Sequence, residues 1–188
     1  MDEYHIYQPP QYKGIREDLN LVTHVSLLMS LDSISKLHAY LNENNIENFL
    51  FNEKTQHYRP VAVTVAYSHQ PISFITPRHD KESFTVIEDL DRKIIVPAST
   101  DLDIGHFIDP DGQILDVAVI RSPEFEKQKS YLEELGAVWH LGDFLPFIKI
   151  NDHTTLPPLG KLNLPEFTDD LVFDRVRYML FGESKTLS

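Results

Sequence analysis

The sequence predicts an α+β fold. Residues 59–74 (RPVAVTVAYSHQPISF) alternate as a strand: Val61, Val63 and Val65 fall on one face, Ala62, Thr64 and Ala66 on the other. The valine face asks for a core, and the small, polar face suits the floor of a cleft. Residues 145–151 (LPFIKIN) have the same build, with Ile148 and Ile150 opposite Phe147, Lys149 and Asn151. Two further stretches carry apolar residues at helical spacing behind a serine that can cap them.

Taken in order, residues 1–14 form an N-terminal arm, rich in Tyr, Gln and Pro and extended without helical or strand period. Such an arm is either a flexible terminus or a docking arm for a protein partner. Residues 19–29 (LNLVTHVSLLM) read as a strand with His24 and Ser26 on one face, and His24 is expected at a sheet edge or as a satisfied core histidine. Ser30 or Asp32 caps the first helix, whose stripe is Ile34, Leu37, His38 and Leu41, and Asn44-Asn45 ends it. Residues 49–58 read as a loop into the next strand. Residues 84–88 and 93–96 read as a hairpin around Asp89-Leu90-Asp91.

Residues 99–112 read as a polar, acidic connection closed by the turn Asp109-Pro110-Asp111-Gly112. Asp101 and Asp103 lie in it, but calcium-loop spacing is missing and no metal is expected. Residues 114–121 are a strand. Ser122-Pro123 then opens a second helix, with Phe125, Gln128, Leu132 and Leu135 on one face and Gly136 as its stop. Residues 156–165 are proline-rich and irregular, and residues 171–180 form a last alternating strand.

Composition bounds the function. The 188 residues make one domain, with 41% hydrophobic and 24% charged residues. A net charge of −12 opposes nonspecific binding to nucleic-acid backbones or anionic membranes. There is no cysteine, hence no disulfide or thiolate chemistry. No apolar run is long enough to span a bilayer, and the first residues do not read as a signal peptide. The histidines His57, His69, His79, His106, His140 and His153 show no metal-ligand spacing, and neither a nucleophile elbow nor a phosphate loop occurs. No cofactor is expected.

The two alternating strands carry a resemblance. Residues 61–68 (VAVTVAYS) and 146–150 (PFIKI) resemble the two His-x-Thr/Ser strands of the 2H phosphoesterases, the LigT-like superfamily. The phage branch that includes anti-CBASS nucleases is the most similar. The segment order strand, helix, Leu-Gly-Ala, Trp139, turn, Pro-x-Ile-x-Ile adds to it. The resemblance covers residues 15–184, leaving 1–14 as the arm and 185–188 as a tail. It implies a two-lobed fold with antiparallel sheets and a helix packed on each lobe. It also implies residence in the cytoplasm of an infected host cell or in a virion.

Set against the family pattern, Ala62 and Phe147 stand where the histidines belong, Thr64 keeps the first hydroxyl and Lys149 replaces the second. His69 stands where relatives carry an arginine. In the family one histidine is the general base and the other the general acid, roles that need a group titrating near neutral pH. Alanine and phenylalanine have none, so the chain is expected to be a catalytically inactive binding protein. Its ligand is either a protein partner or a nucleotide or cyclic nucleotide, bound by Thr64, Tyr67, His69, Phe147 and Lys149 with Trp139 as a further stacking ring. The alternative is an active phosphodiesterase that cleaves cyclic oligonucleotides, cyclic nucleotides or RNA and counters host signalling, using displaced histidines: His24 (in His24-Val25-Ser26), His69, or His153 (in His153-Thr154-Thr155). A cleft plugged by Phe147 favours the protein-contact role. An open cleft with Lys149 in it favours the nucleotide.

Overall fold

A computed structural model describes residues 5–7, 22–68, 84–88, 93–98, 101–108, 114–137, 144–153 and 164–181. In chain order these form β1 (His5–Tyr7), β2 (Val22–Met29), α1 (Leu31–Glu43), β3 (Phe51–Asn52), β4 (His57–Tyr58), β5 (Ala62–Ser68), β6 (Phe84–Glu88) and β7 (Ile94–Val96). They continue as β8 (Asp101–Ile108), β9 (Ile114–Arg121), α2 (Pro123–Glu134), β10 (Phe147–His153) and β11 (Leu171–Phe181). The fold is α+β, with mostly antiparallel sheets and two helices among the described residues.

Both helices start where a serine can cap them. Ser30 accepts from the Ser33 N–H at 3.2 Å, and Ser122 accepts from the Glu124 N–H with Pro123 opening the helix behind it. Ile34, Leu37 and Leu41 of α1 are buried, as are Phe125 and Leu132 of α2. Each such side chain contributes about 1.5–3 kcal/mol by leaving water. His38 is only half-buried and meets the rings of Phe51 and Tyr58 instead of the main core. Gly136 follows α2 at φ 106°, a conformation that favours glycine.

One sheet has the order β1-β8-β9-β10. The other runs β5-β2-β11-β6, with β7 also paired to β11. β5 and β10, an edge strand of each sheet, adjoin one another. One core cluster links the two sheets: Val25, Leu27, Val63 and Phe173 of one are buried together with Ala118, Ile120, Ile148 and Ile150 of the other. Phe125 of α2 meets Phe173 of β11 edge to face, centroids 5.1 Å apart.

Several expectations are corrected. Three residues of the N-terminal arm form strand β1, paired in parallel with β8 at the edge of the chain's own sheet. The loop at 49–58 contains a small hairpin, β3 with β4, in which Phe51 sits opposite Tyr58. Strands β6 and β7 do not pair as a hairpin. They lie end to end along β11, whose 11 residues leave room for both. The acidic connection holds an eight-residue strand, β8. Its core face is Leu102, Ile104 and His106, and a polar residue in that row with Asp101, Asp103 and Gly105 around it hides the alternation. The turn at 109–112 lies outside the described residues. Strand β2 is interior, between β5 and β11, so His24 does not stand at a sheet edge. Ala66 does not share the polar face of Thr64: the pairing register shifts at Val25/Ser26, leaving Val65 without a partner, and Ala66 turns into the core.

Candidate functional site

The alternation of β5 and β10 builds the site. Val63 and Val65 are fully buried on one side of β5, while Ala62 and Thr64 emerge half-buried on the other. On β10, Ile148 and Ile150 are buried, Phe147 is half-buried and Lys149 is exposed, whereas Asn151, expected on the face of Lys149, is buried because the register with β9 shifts between Lys149 and Asn151. Because the two strands adjoin, both non-core faces open on one cavity of about 450 Å³. Ala62, Thr64, Phe147 and Lys149 all line it. The four positions picked out along the sequence are therefore brought together.

Phe147 forms part of the wall and leaves the cavity open. Its ring rests against Phe107 at 4.5 Å between centroids, backed by Val117 and Val119. Other apolar wall residues are Phe49, Leu50 and Pro60.

The polar lining comes from both sheets and from the segment before β5: Ser26, Arg59 and Arg177 join Thr64 and Lys149. Arg177, Ser26 and Thr64 form one row across three adjacent strands, since Ser26 pairs with Arg177 on β11 and with Thr64 on β5. The Arg177 Nε is enclosed, with no hydrogen-bond partner among the described residues. Burial lowers the pKa of this guanidinium from its usual value. Arg59 holds its guanidinium over the Phe49 ring, 5.2 Å from the centroid. Neighbouring Arg175 is spent elsewhere, donating to the Met29 carbonyl at 2.9 Å and to Asp174.

Three cations thus line the cleft, and no carboxylate is among the described lining residues, in a chain of net charge −12. Such a spot attracts anions, and low-dielectric walls strengthen the attraction. Hydroxyls beside guanidinium and ammonium groups suit phosphate oxygens.

Of the other residues named from sequence, Tyr67 continues β5 in register with His24, and neither side chain is described. His69, His79, Trp139 and His140 lie outside the described residues. His153 ends β10 opposite Ile114, its side chain likewise undescribed. His57 is exposed on β4. His106 is buried in the other sheet, its Nδ1 2.6 Å from Asp116 Oδ1, and does not line the cleft. Among the described residues no group of three or more His, Cys, Asp or Glu is arranged to hold a metal ion. No described helix is long and apolar enough to cross a membrane.

Sequence reasoning missed Arg59, Arg177 and the place of Ser26. A signal for one existed: Arg175 and Arg177 alternate with Val176, placing two cations on one face of a strand. No protein-family model matches the chain, and no curated protein matches it.

Proposed function

We propose that this chain is a non-catalytic binding protein of two-lobed, 2H-phosphoesterase-like architecture, whose cleft holds a nucleotide or cyclic nucleotide by its phosphate. The observation that carries the reading is the convergence of Arg59, Lys149 and Arg177 on one open cavity without a described carboxylate. The adjoining β5 and β10 support the two-lobed arrangement. Lys149 supplies a positive charge where the resembled family has a hydroxyl, which favours holding a phosphate. Ala62 and Phe147 flank that site with groups that exchange no proton near neutral pH.

Calorimetry against linear and cyclic oligonucleotides, with product analysis on every sample, tests this. Binding with intact ligand is expected, and Lys149→Ala should weaken it at least tenfold, about 1.4 kcal/mol. Affinity should also fall as salt is raised. Cleavage of any ligand sinks the non-catalytic reading.

A phosphodiesterase using His24 is the second reading. What favours it is that β2 carries Ser26 to the cleft wall, and His24 stands two residues along the same interior strand. If ligand is cleaved and His24→Ala abolishes the cleavage, that reading replaces the first.

A further inference from the structure

We infer that Arg177 is the anion anchor of the cleft, and that the ligand carries two phosphate groups: one on the Arg177–Ser26–Thr64 row and one toward Lys149 and Arg59. This rests on the nucleotide-binding reading above and assigns what it leaves open, which cation takes which phosphate and how many phosphates the ligand has.

The row comes from strand pairing. Adjacent strands stand about 4.8 Å apart, so the three Cα atoms span about 10 Å across the sheet. That length fits a guanidinium at one end, two hydroxyl side chains beyond it and one phosphate between them. Arg177 is half-buried and its Nε finds no acceptor among the described residues, whereas Lys149 is exposed and Arg59 lies at the surface on the Phe49 ring. The cations therefore sit at two depths. A buried, charged donor without an acceptor destabilises the folded chain, and an anion that accepts from it removes that cost. A guanidinium presents its donors as a planar fork matched to two phosphate oxygens. An ammonium at the same place does not.

Ala62 and Phe147 line the same cavity as both groups of cations and give it apolar surface. A ligand with phosphates at both levels lays its sugar and base against these groups.

The test is calorimetric titration of the full chain with three probes: adenosine 5′-monophosphate, an unphosphorylated adenosine dinucleotide, and the 5′-phosphorylated dinucleotide. The last carries two phosphates, the others one. The two-phosphate probe should bind at least tenfold more tightly than either one-phosphate probe. Arg177→Gln should weaken all three at least tenfold, while the ligand-free melting temperature stays level or rises, because a buried donor without an acceptor has gone. Arg177→Lys keeps the charge without the fork and should lose at least fivefold, which decides the matter if the glutamine variant fails to fold. Lys149→Ala should erase the advantage of the second phosphate.

Equal affinity for all three probes, or wild-type binding by Arg177→Lys, overturns the inference. If the dinucleotides bind through Lys149 while Arg177→Gln binds like the wild type, the anchor falls and the nucleotide reading stands. If no probe binds, the inference falls, and the titrations with linear and cyclic oligonucleotides described above decide the nucleotide reading.

Discussion

Ser33 is the residue on which α1 is fastened to the sheet. It is 1% exposed, and its hydroxyl accepts from the Val172 N–H of β11 at 2.8 Å. The Val172 carbonyl accepts from the Ser30 N–H at 2.7 Å, so both backbone groups of Val172 point into the start of the helix. Ser33→Ala leaves the half-buried Val172 N–H without its acceptor and should cost about 1 kcal/mol. The measurement is urea denaturation, with the midpoint falling and the slope unchanged. Residue-scale reading of the site was uneven for a physical reason. Thr64 and Lys149 announce themselves because alternation assigns each a face within a single strand. Arg177 sits in an equally legible strand, but nothing local says that its face meets Thr64, since Ser26 between them comes from a third part of the chain.

At the scale of elements, the far half of α1 is tied to the segment before β11. Tyr40 donates its hydroxyl to the Pro165 carbonyl at 2.8 Å, and its ring meets Phe167 edge to face at 5.1 Å. Burial raises the Tyr40 pKa above its ordinary value. The folded chain then keeps this proton at a pH where the unfolded chain has lost it. Its contribution is therefore complete below about pH 10 and is lost as pH rises further. Melting temperatures from pH 8 to 11 should fall more steeply above pH 10 in the wild type than in Tyr40→Phe. An equal slope in the two would show that Tyr40 does not titrate this way. The elements themselves were legible in proportion to their periodicity. Both helices and the strands β9 and β11 stand where their patterns put them, while β5 starts three residues into its stretch, at Ala62, and β10 two residues into its own, at Phe147. The hairpin of β3 and β4 was not visible because strands of two residues have no period. In β8 a buried histidine, held by Asp116 in the neighbouring strand, occupies a core position that pattern reading reserves for an apolar residue.

At the scale of the whole molecule, the acidic chain keeps a basic cleft where its two sheets meet at β5 and β10. If that meeting is the 2H arrangement, the catalytic groups can be put back. The triple variant Ala62→His, Phe147→His, Lys149→Thr should hydrolyse bis(p-nitrophenyl) phosphate at least 10²-fold faster than the parent chain, the low end for one positioned acid or base. It gives up the Phe147–Phe107 ring contact, worth about 0.5–1.5 kcal/mol, so its folding is to be checked by circular dichroism alongside. A folded variant with no rate above the parent would mean that positions 62 and 147 do not face a common phosphate.

Local and periodic features are legible in the chain alone: the core face of β5 up to Val65 and of β10 up to Ile150, where the helices start and stop, and that no histidine stands at positions 62 and 147. Those follow from steric alternation, capping chemistry and residue identity, which a short window contains in full. Only the tertiary structure decided that β2 is interior, that β6 and β7 share β11, and that Ser26, Arg59 and Arg177 join Thr64 and Lys149 in one cavity. Sheet order and register arise from pairing between distant segments, so a strand's own pattern names its core face without naming its neighbour.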